Sequence, residues 1–220
     1  MPTPAAAPQT FSALDWSTWR PLETATLMFV RMDGMVLLIR KLKGMGRGLL
    51  NGPGGRVDPG ETPVEGAIRE TQEELQIKPL GVKEAGILNF QFTSGYSLRC
   101  HVFTASNYDG TPSRTPEAIP LWVDEREMPY SQMWADDRIW YPLILQGRYF
   151  EGRFLFDSGN LVGCEMDIAG THPSPAALAA QNPADPYLTV PESATVSPDN
   201  YEGPKTAPTT PPPAPQEPAP

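Results

Sequence analysis

Apolar positions along the chain follow two different periods, and the change between them marks the elements. TATLMFVR (24–31) and MVLLIR (35–40) are apolar runs of strand length separated by Met32-Asp33-Gly34, which predicts two strands joined by a tight turn. Strand patterns resume in GILNFQF (86–92), LRCHVFTA (98–105) and PLWV (120–123), and RYFEGRFLF (148–156) with NLVGCEM (160–166) reads as a late hairpin. DDRIWYPLILQ (136–146) reads as a helix disturbed by Pro142, which lacks a backbone donor. Strands interspersed with two helices define a mixed α/β single domain.

The best-marked helix begins at Thr62. Thr62 is placed as N-cap, Pro63 as the first helical residue and Glu65 as the third, a capping box that carries the chain to about Leu75. With about 100° of rotation per residue, Val64, Ile68, Thr71 and Leu75 fall on one arc, predicted to pack on the sheet. Glu70, Glu73 and Glu74 share another arc. Taken alone, three such carboxylates read as a solvated acidic face. Yet each like-charge pair weakens the helix by a few tenths of a kcal/mol, and Glu70 and Glu74 lie towards its negative end. A divalent cation removes both penalties, and oxygen-only ligands suit Mg²⁺ or Mn²⁺ rather than zinc. The preceding loop, NGPGGRVDPG (51–60), is dense in turn formers. It is either a plain connector or a backbone shaped to approach phosphate or metal.

Composition divides the chain into three parts. Of the 27 prolines among 220 residues, 14 fall after residue 170, where no Phe or Trp occurs. Such a segment cannot bury enough apolar surface to offset its ordering entropy, so 171–220 is expected to be a disordered tail. Residues 1–22 form an extension that Trp16 and Trp19 could anchor, and 23–170 form the domain. No apolar run is long enough to span a membrane, and no secretory leader is evident at the start. Cys100 and Cys164 suit buried small hydrophobes in a reducing, cytoplasmic setting. A net charge of −9 gives no counterion-release gain on a polyanion, so duplex nucleic acid is not an expected partner. A small anionic substrate is compatible if a metal supplies the positive charge. A monomer is expected.

Residues 54–77, GGRVDPGETPVEGAIRETQEELQI, resemble the Nudix box, G-x5-E-x7-REUxEExGU with U aliphatic. Gly55, Glu61, Arg69, Glu70, Glu73 and Glu74 stand at the required spacing, whereas Thr71 replaces an aliphatic residue and Gln76 a glycine. The resemblance implies an α/β/α sandwich with a mixed sheet, and a hydrolase of nucleoside diphosphates linked to a further group. It also implies Glu70, Glu73 and Glu74 as Mg²⁺ ligands, with the Gly54 carbonyl as another. Arg69 orients the glutamates in that family, and Glu61 has a structural or outer-shell role. Glu117 would be a distal carboxylate that assists the metal, or else a surface charge.

Outside the box, from about Thr26 to Met166, the chain is similar to the branch of the family that hydrolyses oxidised purine nucleoside triphosphates. That likeness implies Asn51, Trp134, Asp136 and Asp137 as residues that hold the base. Phe90, Phe92, Thr26 and Lys41 would complete the pocket. Trp134 as a core residue and Asp136 as a helix N-cap are the plainer readings. Leu50 and Met45 stand where the branch carries aromatic residues, which puts the choice of purine in question. Two other functions are compatible with the box: a hydrolase of ADP-ribose or a dinucleoside polyphosphate, and a nucleotide sensor without turnover. The intact glutamate run argues against the sensor.

Overall fold

The first two strands form the hairpin that the apolar runs predict. β1 (Glu23–Met32) and β2 (Met35–Lys41) pair antiparallel, and the turn places Asp33 and Gly34 at φ 53° and 75°. Two successive positive φ values match the right-handed twist of the flanking strands. The computed structural model describes residues 10–168; residues 1–9 and the tail expected from residue 171 lie outside the described residues.

β1 runs parallel to β6 (Ser97–Ala105), with Thr26 opposite His101. β6 pairs antiparallel with β5 (Lys83–Phe92), which runs parallel to β9 (Phe150–Asp157), and β10 (Asn160–Ile168) closes that edge. On the other side β2 carries β3 (Leu50–Asn51) and β8 (Ala118–Asp124). The result is one eight-stranded mixed sheet. A second sheet, β4 (Ile77–Leu80) with β7 (Asn107–Gly110), has no counterpart in the strand patterns read from the sequence.

Helices cover both faces, which is why the first strands are apolar throughout rather than alternating. Met28, Val30, Leu37 and Ile39 pack with Ala67 and Leu75 of α1 (Pro63–Leu75). Phe29, Val36 and Leu38 face the other way, onto Ile139, Trp140, Tyr141 and Leu143 of α2 (Asp137–Leu145). This is the α/β/α sandwich expected. α2 passes through Pro142 without ending there.

The capping box forms as read. Glu65 N–H donates to the Thr62 hydroxyl, and Thr62 N–H donates to the Glu65 carboxylate at 2.8 Å. At the other end Gln76 takes the left-handed conformation (φ 61°, ψ 28°) that a glycine would adopt more cheaply. One expectation is corrected. The packed face of α1 is Ala67, Thr71, Glu74 and Leu75, while Val64 is 37% exposed. The buried arc is rotated towards the carboxylates because Glu74 turns inward. Thr71 satisfies its hydroxyl by donating to the Ala67 carbonyl at 2.7 Å, so the polar atom is accommodated within the helix.

Candidate active site

β1, β5 and β6, the loops before β3 and α1, and the start of α2 enclose a cavity of about 390 Å³. Thr26, Lys41 and Asn51 line one side, and Phe90 and Phe92 another. Trp134, Asp136 and Asp137 form its floor, and Gly54 leads out towards α1. All eight residues expected at the base therefore share one space. Met45 also lines it, whereas Leu50 is buried in the core on the α2 side.

Trp134 meets Phe156 edge-on, with ring centroids 6.0 Å apart. Asp136 does not cap α2 with its side chain; its Oδ2 accepts from Trp140 Nε1–H at 2.8 Å. Asp137 Oδ2 accepts from the Trp134 N–H, also at 2.8 Å. Both carboxyls are 2% exposed. Burial pushes Asp136 up to about 6, and burial together with the Asp136 charge pushes Asp137 well above the usual carboxylate range. Adjacent in the chain and both buried, the two acids cannot both ionise without a cost in desolvation and repulsion. Across the cavity, the buried Thr26 hydroxyl has no partner among the described residues.

The carboxylates of α1 sit at the other end. Glu74 is buried; its Oε2 accepts from Gly54 N–H at 2.9 Å and its Oε1 from Lys41 Nζ at 3.2 Å. Lys41 Nζ also reaches the Gly54 carbonyl at 3.4 Å. Glu70 lies directly over Gly55, where any Cβ would strike its carboxylate. Burial raises the pKa of Glu70 and of Glu74, opposed by Arg69 and Lys41 respectively. Arg69 grips Glu61 through two bonds of 2.9 and 3.0 Å, donates to the Arg56 carbonyl, and reaches Glu70 Oε1 and Glu73 Oε2 at 2.9 and 3.2 Å. The Glu61 contact holds its guanidinium protonated well above the ordinary range. Glu117 pairs with Lys43 at 3.3 Å, both side chains more than half exposed.

Among the described residues, no three acidic, imidazole or thiol groups converge closely enough to hold an ion as they stand. The donor chemistry nevertheless fits a hard divalent cation. Three carboxylates and a carbonyl are on hand, and a cationic ammonium already lies between the Gly54 carbonyl and Glu74. The glutamates are in the arrangement that the protein's own Lys41 and Arg69 satisfy, and the exposed Glu73 side chain has room to rotate.

Sequence reasoning missed several cavity residues. Leu98 and Cys100, opposite Phe90 and Leu88 of β5, follow from the period-two alternation of β6, a signal that was present. Trp140 as the partner of Asp136 follows from their i,i+4 spacing on α2. Tyr96, Arg56 and Phe156 had no comparable local signal.

The sheet with α1 on one face, and the box whose Glu74 is bonded to Gly54 and Lys41 of the cavity wall, define a Nudix domain. Residues 21–144 match the NUDIX domain model, and the chain belongs to that family, whose members use divalent metal cations. Its likeness to particular relatives is specific. It is 41% identical to the oxidized purine nucleoside triphosphate hydrolase of Danio rerio over 138 residues, 62% of this chain and 88% of the relative. To the Mus musculus protein of the same name it is 36% identical over the same shares. Among solved structures it resembles the mutator MutT protein of Bacillus halodurans, with a TM-score of 0.61 and 26% identity, covering 66% of this chain and 98% of that one. No helix among the described residues is long and apolar enough to cross a membrane.

Proposed function

We propose that this chain hydrolyses oxidised purine nucleoside triphosphates, 8-oxo-dGTP and 2-hydroxy-dATP among them, to the monophosphate and pyrophosphate, and so clears damaged precursors from the nucleotide pool. The observation that carries this reading is the pair of buried neighbours Asp136 and Asp137, both pushed towards protonation by burial, which line one cavity with Trp134. An aromatic face contributes roughly 1–3 kcal/mol of stacking to almost any base. Identity must then be read by hydrogen bonds. One neutral and one ionised carboxyl present a donor beside an acceptor, and moving the proton reverses them without repacking. Two differently oxidised purines can thus be held by one pocket. Asn51 accepts from Gly52 N–H through its Oδ1 at 2.8 Å, which leaves its amide nitrogen free to donate to the base.

Glu70, Glu73, Glu74 and the Gly54 carbonyl would hold Mg²⁺, with Mn²⁺ as a substitute. When bound, the metal neutralises pyrophosphate oxygens and lowers the pKa of water. Arg69, fixed by Glu61, keeps Glu70 and Glu73 aimed towards one side of α1. Lys41, which pairs with Glu74 and the Gly54 carbonyl, would supply its ammonium to the phosphates, and Glu117, which pairs with Lys43, would add a further carboxylate for the metal. A reducing, cytoplasmic setting is consistent with two buried free cysteines. A hydrolysis screen with Mg²⁺ across modified and ordinary triphosphates, with products identified, tests the reading. Oxidised purines should be cleaved at least about tenfold more efficiently than dGTP. Equal rates on all triphosphates, or preference for ADP-ribose, would overturn it.

A further inference from the structure

The family match begins at residue 21, yet the structure is ordered into contacts from Thr10 onward. Residues 10–22 form a strap across the face of the sheet opposite the cavity. Phe11 packs on Gly163 of β10, and the rings of Phe11, Trp16 and Trp19 follow one another at 5.5 Å spacings. Trp19 lies under the Arg99 guanidinium at 5.8 Å. At the far end Leu22 N–H bonds Ser97, so the strap is fixed at both ends.

One contact links the strap to the strand that also carries cavity residues. Trp19 Nε1–H donates to Gln91 Oε1 at 2.9 Å. Gln91 in turn donates from Nε2 to two carbonyls, Phe92 at 2.9 Å and Tyr96 at 3.0 Å. Those carbonyls belong to the β5–β6 turn, in which Phe92 N–H also bonds Tyr96 and Gly95 N–H bonds Phe92. Because side chains alternate along a strand, Gln91 faces the strap while Phe90 and Phe92 face the cavity. Phe92 and Tyr96 both line that cavity, their rings 5.5 Å apart. The amide of Gln91 has a single orientation in which all three bonds form, and Trp19 selects it.

We infer that Trp19 is a positioning residue for the base pocket: it orients Gln91, which holds the Phe92–Tyr96 turn where its rings meet the purine. The inference deepens the proposed function and rests on it. Trp19→Phe keeps the ring beneath Arg99 and beside Trp16 but deletes the donor. Gln91→Glu keeps the acceptor for Trp19 but cannot donate to the two carbonyls.

Steady-state kinetics on 8-oxo-dGTP and amide hydrogen exchange of the free protein test it together. Trp19→Phe should raise KM roughly three- to tenfold with kcat nearly unchanged, as expected for loss of one neutral hydrogen bond that acts on binding alone. The Phe92 and Gly95 amides should exchange faster, and the double variant should lose less than the product of the single effects. An unchanged KM, or a KM that changes no more than that for ordinary dGTP while the melting temperature drops, would make Trp19 merely structural and overturn the inference. So would unchanged exchange at Phe92 and Gly95. Should the wild type cleave no oxidised purine triphosphate, the proposed activity fails by itself. Exchange at those two amides then supports or overturns the linkage from Trp19 to the turn.

Discussion

In the proposed reaction Lys41 and Glu74 are the residues on which metal binding turns. Glu74 is a buried carboxylate whose pKa burial raises, opposed by one ammonium and one backbone N–H. Glu74→Gln keeps the acceptor for Gly54 and removes the charge. Turnover should fall by about a hundredfold or more, with weaker Mg²⁺ binding by calorimetry, while the metal-free melting temperature changes little because repulsion from Glu70 is relieved as the Lys41 pair is lost. Wild-type turnover in the variant would remove Glu74 from the metal site. Asp137→Asn freezes one member of the proposed donor–acceptor pair as an amide. Losses in kcat/KM of about ten- to hundredfold, unequal between 8-oxo-dGTP and 2-hydroxy-dATP, should follow, since a missing partner for a buried polar group costs about 1–3 kcal/mol. Equal losses on both would make the pair structural. The same variant has a signature in stability. Both aspartates hold protons in the folded chain at a pH where the unfolded chain has released them, so their contribution is full below the ordinary value of 3.8 and is lost as pH rises through about 6 and beyond. Relative to wild type, Asp137→Asn should therefore gain stability as pH is raised from about 4 to 7, read from paired melting curves.

At the scale of elements, α1 was the most legible part of the chain and also contained the clearest error. Thr62, Pro63 and Glu65 are local signals that act before any tertiary contact forms, so the start of the helix lies where they put it. Its packed face depends on what the helix meets, and the inward pull of Gly54 and Lys41 on Glu74 turned that face away from Val64. The β1–β2 and β9–β10 hairpins were legible for the same local reason. The β4–β7 sheet was not: IKPL carries Pro79, NYDG is polar and short, and their pairing joins segments about thirty residues apart. The base pocket was legible only through resemblance. No periodicity brings Thr26 of β1, Phe90 of β5 and Asp136 together; the parallel pairing of β1 with β6 does. Gln76 offers a test of how α1 ends. It holds a positive φ of 61° that costs an L-residue about 1–2 kcal/mol, and glycine recovers part of that against its greater entropy when unfolded. Gln76→Gly should stabilise the protein by about 0.5–1 kcal/mol in denaturant titration, without changing KM.

For the whole molecule, the described residues that line the cavity lie between Ala25 and Phe156. Truncation after Gly170 should therefore leave kcat/KM and melting temperature nearly unchanged, given the low aromatic content of the segment removed. A drop of several degrees would show that the tail docks on the domain. The parallel pairing of β1 with β6 also sets a timetable for the newborn chain. Thr26 must wait for His101 to leave the ribosome, and at about 5–20 residues per second that is a delay of several seconds. During it the β1–β2 hairpin offers apolar side chains on both faces with neither helix layer complete. α1 is synthesised well before Phe150–Asp157, the strand that brings Phe156 to the pocket wall. A nascent chain therefore carries its glutamates before the cavity wall is complete, and under the proposed function the ability to choose a base comes after the ability to hold a metal.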